Sequence, residues 1–220
     1  MYSFVRFLAI AFFRAASRMT ILGVENVPAE GGFLLTTNHL SFVDPELILA
    51  AVPRRIRVFA AVKYRRNPFI HYFFDAMGCV WVRQFEADHQ ALREAINHLK
   101  SGGVLGMSPE GTRSKKTHAL ARARGGAAML ASRSGAPVLP VAVWGTETFF
   151  RDLRRLRRPR IFARIGKPYA LSAPARAKGT ELDAATDEIM LAIAALLPND
   201  YRGEYAADPR SAARASEAGG

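Results

Sequence analysis

The residues with the clearest potential for chemistry are a histidine and an aspartate five positions apart, His39 and Asp44. A neutral imidazole accepts a proton near pH 7, and a carboxylate on its second nitrogen fixes the tautomer and stabilises the imidazolium that forms. His39 is therefore a candidate general base, and Asp44 is the carboxylate that would orient it. Residues five apart on a regular helix point about 140° apart, so the pair requires a bend in the backbone between them.

The same two residues also have an interpretation that involves no chemistry. Asp44 precedes Pro45, and an aspartate followed by proline is typical of a helix N-cap with proline in the first helical position. In that case His39 is an ordinary loop histidine. These residues by themselves leave both interpretations open.

No serine elbow accompanies the pair to make a hydrolytic triad. The nearest approach, Gly106 to Glu110, departs from the G-x-S-x-G pattern at its final position. A substrate hydroxyl in the place of the serine would let the pair drive direct acyl transfer without a covalent enzyme intermediate. Ser41 is the alternative, as a nucleophile that would form such an intermediate.

A second polar cluster, Ser108 to Ser114, follows a short apolar run and is typical of an anion-binding loop. Gly111 permits close backbone approach, Thr112 offers a hydroxyl, and Arg113 offers a planar guanidinium that matches phosphate oxygens. Thr112 also occupies the position at which a Walker loop needs a lysine, which disfavours nucleotide hydrolysis. A tight turn in which Glu110 pairs with Arg113 is the structural alternative.

These clusters lie between elements that predict an α/β fold. From residue 31 to residue 170, short β-rich runs alternate with helical periodicity, which favours a central sheet flanked by helices. The first run leads directly into His39, so the site is expected at a strand end. The predicted strands are Phe33–Thr36, Val58–Ala60, Val80–Val82, Val104–Met107, Val138–Val143 and Ile161–Ala163, and the predicted helices are 88–100, 123–134 and about 181–197.

Residues 1–20 predict a helix that lies in a membrane interface. The uncharged run Phe7 to Phe13 is far shorter than the roughly 20 residues that span a bilayer. Arg6, Arg14 and Arg18 fall within about one third of a helical wheel, where they could reach lipid phosphates. The alternative is a first helix that packs on the domain.

Residues 21–198 are expected to form one catalytic domain, followed by a flexible tail of small and polar residues, 199–220. The single cysteine, Cys79, excludes an internal disulfide and a cysteine-based zinc site, and it is expected to be a buried small hydrophobe. The other four histidines lack paired-ligand spacing, so no metal is expected.

The charge of the chain points to anionic partners. Lys and Arg number 31 against 19 Asp and Glu, which gives a formal net charge of +12. Two stretches concentrate it: Arg54 to Arg66 contains no acid, and Arg151 to Lys167 contains only Asp152. Because aromatic interleaving is thin and no recognition motif accompanies the charge, an anionic membrane surface is favoured over nucleic acid.

Taken together, these segments resemble the glycerolipid acyltransferase family. Asn38-His39 with Asp44 resembles its NHxxxxD motif, and Ser108 to Ser114 resembles its FPEGTRS block. Gly78 to Arg83 resembles the second block, which ends in arginine, and Val138 to Val143 is similar to the fourth, a proline-containing apolar strand. The order and rough spacing of all four blocks agree from residue 22 to about 170. Met107-Ser108 departs from the third block, which often has a bulky apolar residue before the proline, and Cys79 and Trp81 depart from the second.

The resemblance implies a mixed, mostly parallel sheet and an O-acyltransferase without a cofactor. The expected reaction moves a fatty acyl group from acyl-CoA or acyl-carrier protein to the hydroxyl of a lysophospholipid, 1-acylglycerol-3-phosphate, at the cytoplasmic face of a membrane, with peripheral or monotopic attachment. Another lysolipid or glycolipid acceptor, or a noncatalytic protein that binds anionic lipid, is the alternative. The implied catalytic residues are His39 and Asp44, and the implied acceptor-binding residues are Arg83, Glu110, Gly111, Thr112 and Arg113.

Overall fold

The predicted α/β fold is confirmed by the computed structural model, which describes residues 2–82, 88–114 and 117–211. In these residues seven strands form one sheet in the order β1-β7-β6-β2-β5-β3-β4. The strands are β1 (Arg18–Leu22), β2 (Phe33–Thr37), β3 (Ile56–Ala61), β4 (Val80–Val82), β5 (Val104–Met107), β6 (Val138–Trp144) and β7 (Arg160–Ile165). All six strands predicted from the sequence are present, and β1 is the one that the sequence pattern missed.

The sheet is mixed, and its direction changes once. Strands β6, β2, β5, β3 and β4 run parallel to one another, whereas β7 is antiparallel to β6 and β1 is parallel to β7. The ends of the five parallel strands therefore lie at the same edge as the beginnings of β1 and β7. We call this the carboxyl edge, and it is where open α/β sheets bind ligands.

Helices cover both faces of the sheet, in agreement with the predicted architecture. Helices α4, α5 and α7 share one apolar core with Leu34 and Leu105, while α1, α2 and α6 share the other with Phe33 and Leu35. The alternation along β2 sends successive side chains into opposite cores, so all five of its residues are buried. The helices are α1 (Tyr2–Ala16), α2 (Asp44–Ala51), α3 (Pro68–Met77), α4 (His89–Lys100), α5 (Gly126–Ser134), α6 (Phe149–Arg154) and α7 (Thr180–Leu196).

The N-terminal segment differs from the predicted arrangement of its arginines. Helix α1 ends at Ala16, and Arg18 begins strand β1 rather than extending a polar helix face. Arg6 turns toward the protein, where its Nε donates to the carbonyl of Leu49 near the end of α2, at 2.9 Å. A helix C-terminus attracts a cation, so Arg6 serves packing and not lipid phosphates.

Large apolar side chains are exposed on the described surface of α1, together with Arg14. Phe7 is 66 % exposed and Phe12 is 56 % exposed, with Leu8 between them also exposed. Within the described residues, no helix combines the length and the apolar character needed to cross a bilayer. Helix α1 therefore exposes apolar side chains along part of its described surface.

The described part of the predicted tail packs against the domain, which corrects the boundary at residue 199. The carbonyl of Tyr201 accepts a hydrogen bond from the backbone of Leu120, and the hydroxyl of Tyr201 donates to Glu147 at 2.8 Å. Tyr205 and Ser211 are buried. Residues 199–211 thus belong to the folded domain because a few apolar and hydroxyl groups anchor an otherwise polar segment; 212–220 lie outside the described residues.

Two arginines of the first basic stretch, Arg54 and Arg57, bind within the fold. Two guanidinium nitrogens of Arg54 donate to the carbonyls of Pro28 and Gly31, at 2.8 and 2.9 Å. Arg57 forms an ion pair with Glu94 at 2.6 Å. These two arginines hold loops and helix α4 in place, whereas the other four basic residues of the stretch are exposed: Arg55, Lys63, Arg65 and Arg66.

Candidate active site

The site begins where strand β2 ends, and Asn38 fixes that end. Its side-chain amide donates to the carbonyl of Val143 at 2.7 Å, and its carbonyl oxygen accepts from the Val143 N–H at 2.8 Å. The buried side chain thereby replaces the next pair of ladder bonds between β2 and β6. This anchor sets the backbone position from which His39 leaves the sheet.

His39 and Asp44 meet as their sequence spacing required. The Nδ1 of His39 lies 2.7 Å from Oδ2 of Asp44, because helix α2 begins only at Asp44 and the chain bends before it. The same oxygen accepts from the backbone N–H groups of Leu40 and Ser41, at 2.7 and 2.8 Å. The predicted contact between the two side chains is confirmed.

Asp44 does not act as the cap of its own helix. The N-cap residue of α2 is Val43, which makes no side-chain capping bond, and Pro45 follows Asp44 in the first turn. The carboxylate of Asp44 instead turns back onto the preceding turn and onto the imidazole. The interpretation of the pair as a simple cap therefore does not describe this geometry.

The arrangement leaves one imidazole nitrogen ready to accept a proton. A carboxylate can only accept hydrogen bonds, so the neutral imidazole carries its hydrogen on Nδ1, the nitrogen that faces Asp44. The lone pair is therefore on Nε2. The side chain of Asp44 is only 2 % exposed, whereas that of His39 is 29 % exposed. The base is thus reachable from outside, while the group that orients it is shielded from water.

Thr146 is a member of the site that sequence reasoning missed. It lies in the turn after β6, is fully buried, and its hydroxyl donates to Oδ1 of Asp44 at 2.5 Å. The other oxygen of Asp44 is the one that contacts His39, so both carboxylate oxygens are held. Nothing in the sequence indicates a contact across 102 positions, although a polar residue just after a buried strand end is a weak signal.

Glu110 holds the backbone of the site, and its predicted place at the phosphate side of the acceptor stays a prediction. One carboxylate oxygen accepts from the backbone N–H of His39 at 3.1 Å, and the other accepts from the Ser114 hydroxyl at 2.6 Å and the Ala121 N–H at 3.0 Å. Burial raises the pKa of Glu110, although these hydrogen bonds oppose the shift. Through these bonds Glu110 positions the backbone of His39.

The rest of the loop is joined to the segment that follows β2. The backbone N–H of Ser114 donates to the carbonyl of His39 at 2.9 Å, which ties the two sequence motifs together. Gly111 has a φ of +69°, a conformation that favours glycine, and Thr112 is exposed. The guanidinium of Arg113 stacks on the ring of Phe42 at 3.5 Å, which holds this cation at the site. Arg83 lies outside the described residues.

Cys79 is buried in a small apolar cluster with Leu49 and Ala60, as predicted. Burial raises the pKa of its thiol to about 11. A thiol that stays protonated near neutral pH is a poor nucleophile. Among the described residues, Cys79 therefore has the character of a packing residue.

Comparison with known proteins identifies the family. The family model described as Acyltransferase matches residues 18–144, a span that contains His39, Asp44, the Glu110 loop and β6. The chain belongs to this acyltransferase family. The class of protein that the fold and the site define is thus an α/β acyltransferase with a histidine and aspartate pair at the carboxyl edge.

Individual proteins that are similar to this chain include two from bacteria and one solved structure. The chain is 26 % identical to the 1-acyl-sn-glycerol-3-phosphate acyltransferase of Borreliella burgdorferi over 65 % of this chain and 58 % of the relative, and 30 % identical to that of Bacillus subtilis over 55 % and 60 %. It therefore spans about three fifths of the length of these relatives. The crystal structure of the 1-acyl-sn-glycerophosphate (LPA) acyltransferase PlsC from Thermotoga maritima is similar, with a TM-score of 0.65 and 28 % identity, over 86 % of this chain and 77 % of that one.

Thr146→Val should slow catalysis because valine cannot donate to Asp44. A hydrogen bond to a charged group contributes about 1.5–3 kcal/mol, so we expect kcat to fall about tenfold or more, with little change in KM. Thr146→Ser, which keeps the hydroxyl, should retain most of the activity. Thr148→Val is the matched control, since that hydroxyl bonds Asp152 and not Asp44. Equal rates in Thr146→Val and wild type would remove Thr146 from the site.

Glu46 should make stability depend on pH. It lies in the first turn of α2, and burial, with repulsion from Asp44, raises its pKa from 4.5 to about 7; its Oε2 has no hydrogen-bond donor among the described residues. The folded state therefore binds a proton more tightly than the unfolded state between these pH values. The free energy of unfolding should fall as pH rises through that window, by up to about 3 kcal/mol.

Glu46→Gln tests this directly by chemical denaturation across the same pH range. The variant should lose most of this decline and be more stable than the wild type at pH 8. Glu30→Gln, at an exposed glutamate, is the control and should leave the decline intact. A Glu46→Gln curve parallel to the wild-type curve would show that Glu46 titrates normally in the folded protein.

Proposed function

We propose that this protein transfers a fatty acyl group from a thioester donor to the free hydroxyl of a lysophospholipid, with 1-acylglycerol-3-phosphate as acceptor and phosphatidate as product. The observation that carries the proposal is the 2.7 Å contact between His39 and Asp44, fastened at the backbone to the Glu110–Ser114 loop. The names of the similar proteins from Borreliella burgdorferi, Bacillus subtilis and Thermotoga maritima support the choice of acceptor.

The proposed reaction is a single displacement at the thioester carbonyl. The Nε2 atom of His39 takes the proton of the acceptor hydroxyl as the oxygen attacks the carbonyl carbon, and Asp44 stabilises the imidazolium that results. The tetrahedral intermediate then collapses, the carbon–sulfur bond breaks, and the imidazolium returns its proton to the thiolate. The acceptor supplies the nucleophile, so the mechanism needs no serine or cysteine of the enzyme.

Arg113 is the proposed ligand of the acceptor phosphate. Its guanidinium is held on the ring of Phe42, within the loop that donates a backbone hydrogen bond to His39. A planar guanidinium binds phosphate oxygens in pairs, and anchoring the phosphate would hold the acceptor hydroxyl near the base. Gly111 and Thr112 would contribute backbone and hydroxyl groups to the same anion.

The proposed place of action is the surface of an anionic membrane. The net charge of +12 and the exposed apolar side of α1 both support such a surface. Attachment would be peripheral or monotopic. Because CoA and carrier-protein thioesters are intracellular donors, the cytoplasmic face is the proposed side.

His39→Ala should abolish transfer without unfolding the protein. Loss of a general base lowers kcat about a thousandfold. The assay supplies lysophosphatidate with acyl-CoA or acyl-carrier protein and detects phosphatidate by its mass. No phosphatidate should be detectable with the variant. Thermal melting should change little because Leu40, Ser41 and Thr146 still donate to Asp44 in the variant. Turnover retained by the variant would contradict the mechanism, and fatty acid released without acceptor would indicate a hydrolase.

Arg113→Gln should weaken acceptor binding while leaving the chemical step nearly intact. We expect KM for lysophosphatidate to rise about tenfold, as for loss of a hydrogen bond to a charged group, with KM for the thioester donor unchanged. Arg133→Gln, at an exposed arginine in the last turn of α5, is the matched control. An unchanged acceptor KM would assign the phosphate to another cation.

A further inference from the structure

The loop between α6 and β7 displays a leucine in an unusual conformation. Leu156 is 97 % exposed and has a φ of +54°. Its N–H donates to the carbonyl of Leu153 at 2.9 Å, and the N–H of Arg157 donates to the carbonyl of Asp152 at 2.9 Å. These two bonds form a Schellman motif at the end of α6, in which Leu156 occupies the position that usually holds glycine or asparagine.

This leucine is unfavourable for the isolated protein on two grounds. A branched side chain resists the left-handed conformation, and an almost fully exposed leucine gains nothing from burial. Residues kept in such conformations are concentrated at functional sites. The bonds of the Schellman motif fix the loop, so the side chain is held outward by defined structure.

The residues around Leu156 supply charge and further apolar surface. On the neighbouring helix, Phe150 is 51 % exposed. Exposed arginines surround the leucine on both sides in the chain: Arg151, Arg154, Arg155, Arg157 and Arg158.

The loop is joined to the apolar side of α1. Arg158 donates to the carbonyls of Arg14 and Ser17, both at 2.8 Å, where α1 ends. The buried rings of Phe13 and Phe149 lie 5.2 Å apart. Exposed Phe12 packs on Phe13 and exposed Phe150 packs on Phe149, so the apolar surfaces of α1 and α6 lie on either side of one shared core.

Sheet topology places this surface at the edge that holds His39. Because β7 runs opposite to β6, its first residue lies at the carboxyl edge, and the α6–β7 loop precedes it there. The turn that enters α6 contains Thr146, which bonds Asp44. A lipid surface in contact with the loop would therefore face the end of the sheet at which the acceptor must be bound.

We infer that the α6–β7 loop, residues 155–159, is a second membrane-docking element that inserts Leu156 among the headgroups of an anionic bilayer while its arginines bind lipid phosphates. The exposed leucine side chain can enter the apolar part of the bilayer, while the arginines around it lie at the level of the anionic headgroups. The inference rests on the proposed function for its choice of a lipid surface. The loop and α1 would then both contact the bilayer, and together they would orient the carboxyl edge toward it.

The test is partition of the full chain onto phosphatidylcholine vesicles with and without phosphatidylglycerol, measured by sedimentation. Leu156→Asn keeps a residue that adopts positive φ and removes the apolar tip, so melting temperature should not fall while partition falls about tenfold. Val24→Asn, at an exposed valine near the opposite edge, should partition like the wild type. Arg155→Gln combined with Arg157→Gln should weaken binding only to the vesicles that contain phosphatidylglycerol.

Activity separates the loop from the chemistry. Leu156→Asn should lose activity on lysophosphatidate in vesicles and keep it on a short-chain, monomeric lysophosphatidate. Unchanged partition of Leu156→Asn would overturn the inference, and a raised KM for acyl-carrier protein with unchanged partition would overturn it in favour of an acidic protein partner. Absence of turnover by the wild type on either acceptor would defeat the proposed function, whereas the partition result would still decide the role of the loop.

Discussion

The carboxylate of Asp44 is the interaction on which the rest of the site depends. It accepts from the imidazole of His39, from two backbone N–H groups of the turn before α2, and from the hydroxyl of Thr146. A buried anion is costly unless donors surround it, and here the donors come from the segments that follow β2 and β6. The same bonds that satisfy the anion therefore fix the tautomer and direction of the base.

A second buried carboxylate, Glu110, holds the other side of the histidine. It binds the backbone of His39, the hydroxyl of Ser114 and the N–H of Ala121, so it joins the segment after β2 to the segment after β5. The strands are joined by backbone hydrogen bonds, whereas the loops at the site are joined by the carboxylates of Asp44 and Glu110. The base and the loop proposed to bind phosphate are held as one unit, which suits a reaction that depends on placing an acceptor hydroxyl within a fraction of an ångström.

The reversal of direction at β7 determines what surrounds this unit. Because β7 and β1 run opposite to the central strands, the end of α1 and the α6–β7 loop both reach the carboxyl edge. Exposed apolar side chains and arginines therefore accumulate beside a catalytic site whose proposed acceptor is amphiphilic. The topology therefore gathers the surfaces that we propose contact a membrane at the same edge of the sheet as His39.

The sequence by itself determined the fold class, six strands and the two motifs that hold His39 and Arg113, because apolar periodicity and local residue type are properties of neighbouring positions. It also required the bend between His39 and Asp44. Only the tertiary structure decided that Thr146 donates to Asp44 and that Glu110 accepts from the backbone of His39. It also decided that Arg6 binds the end of α2 and that residues 199–211 pack on the domain. Each of these depends on contacts between segments far apart in the chain, and pairing across such distances follows from strand order, which residue spacing does not encode.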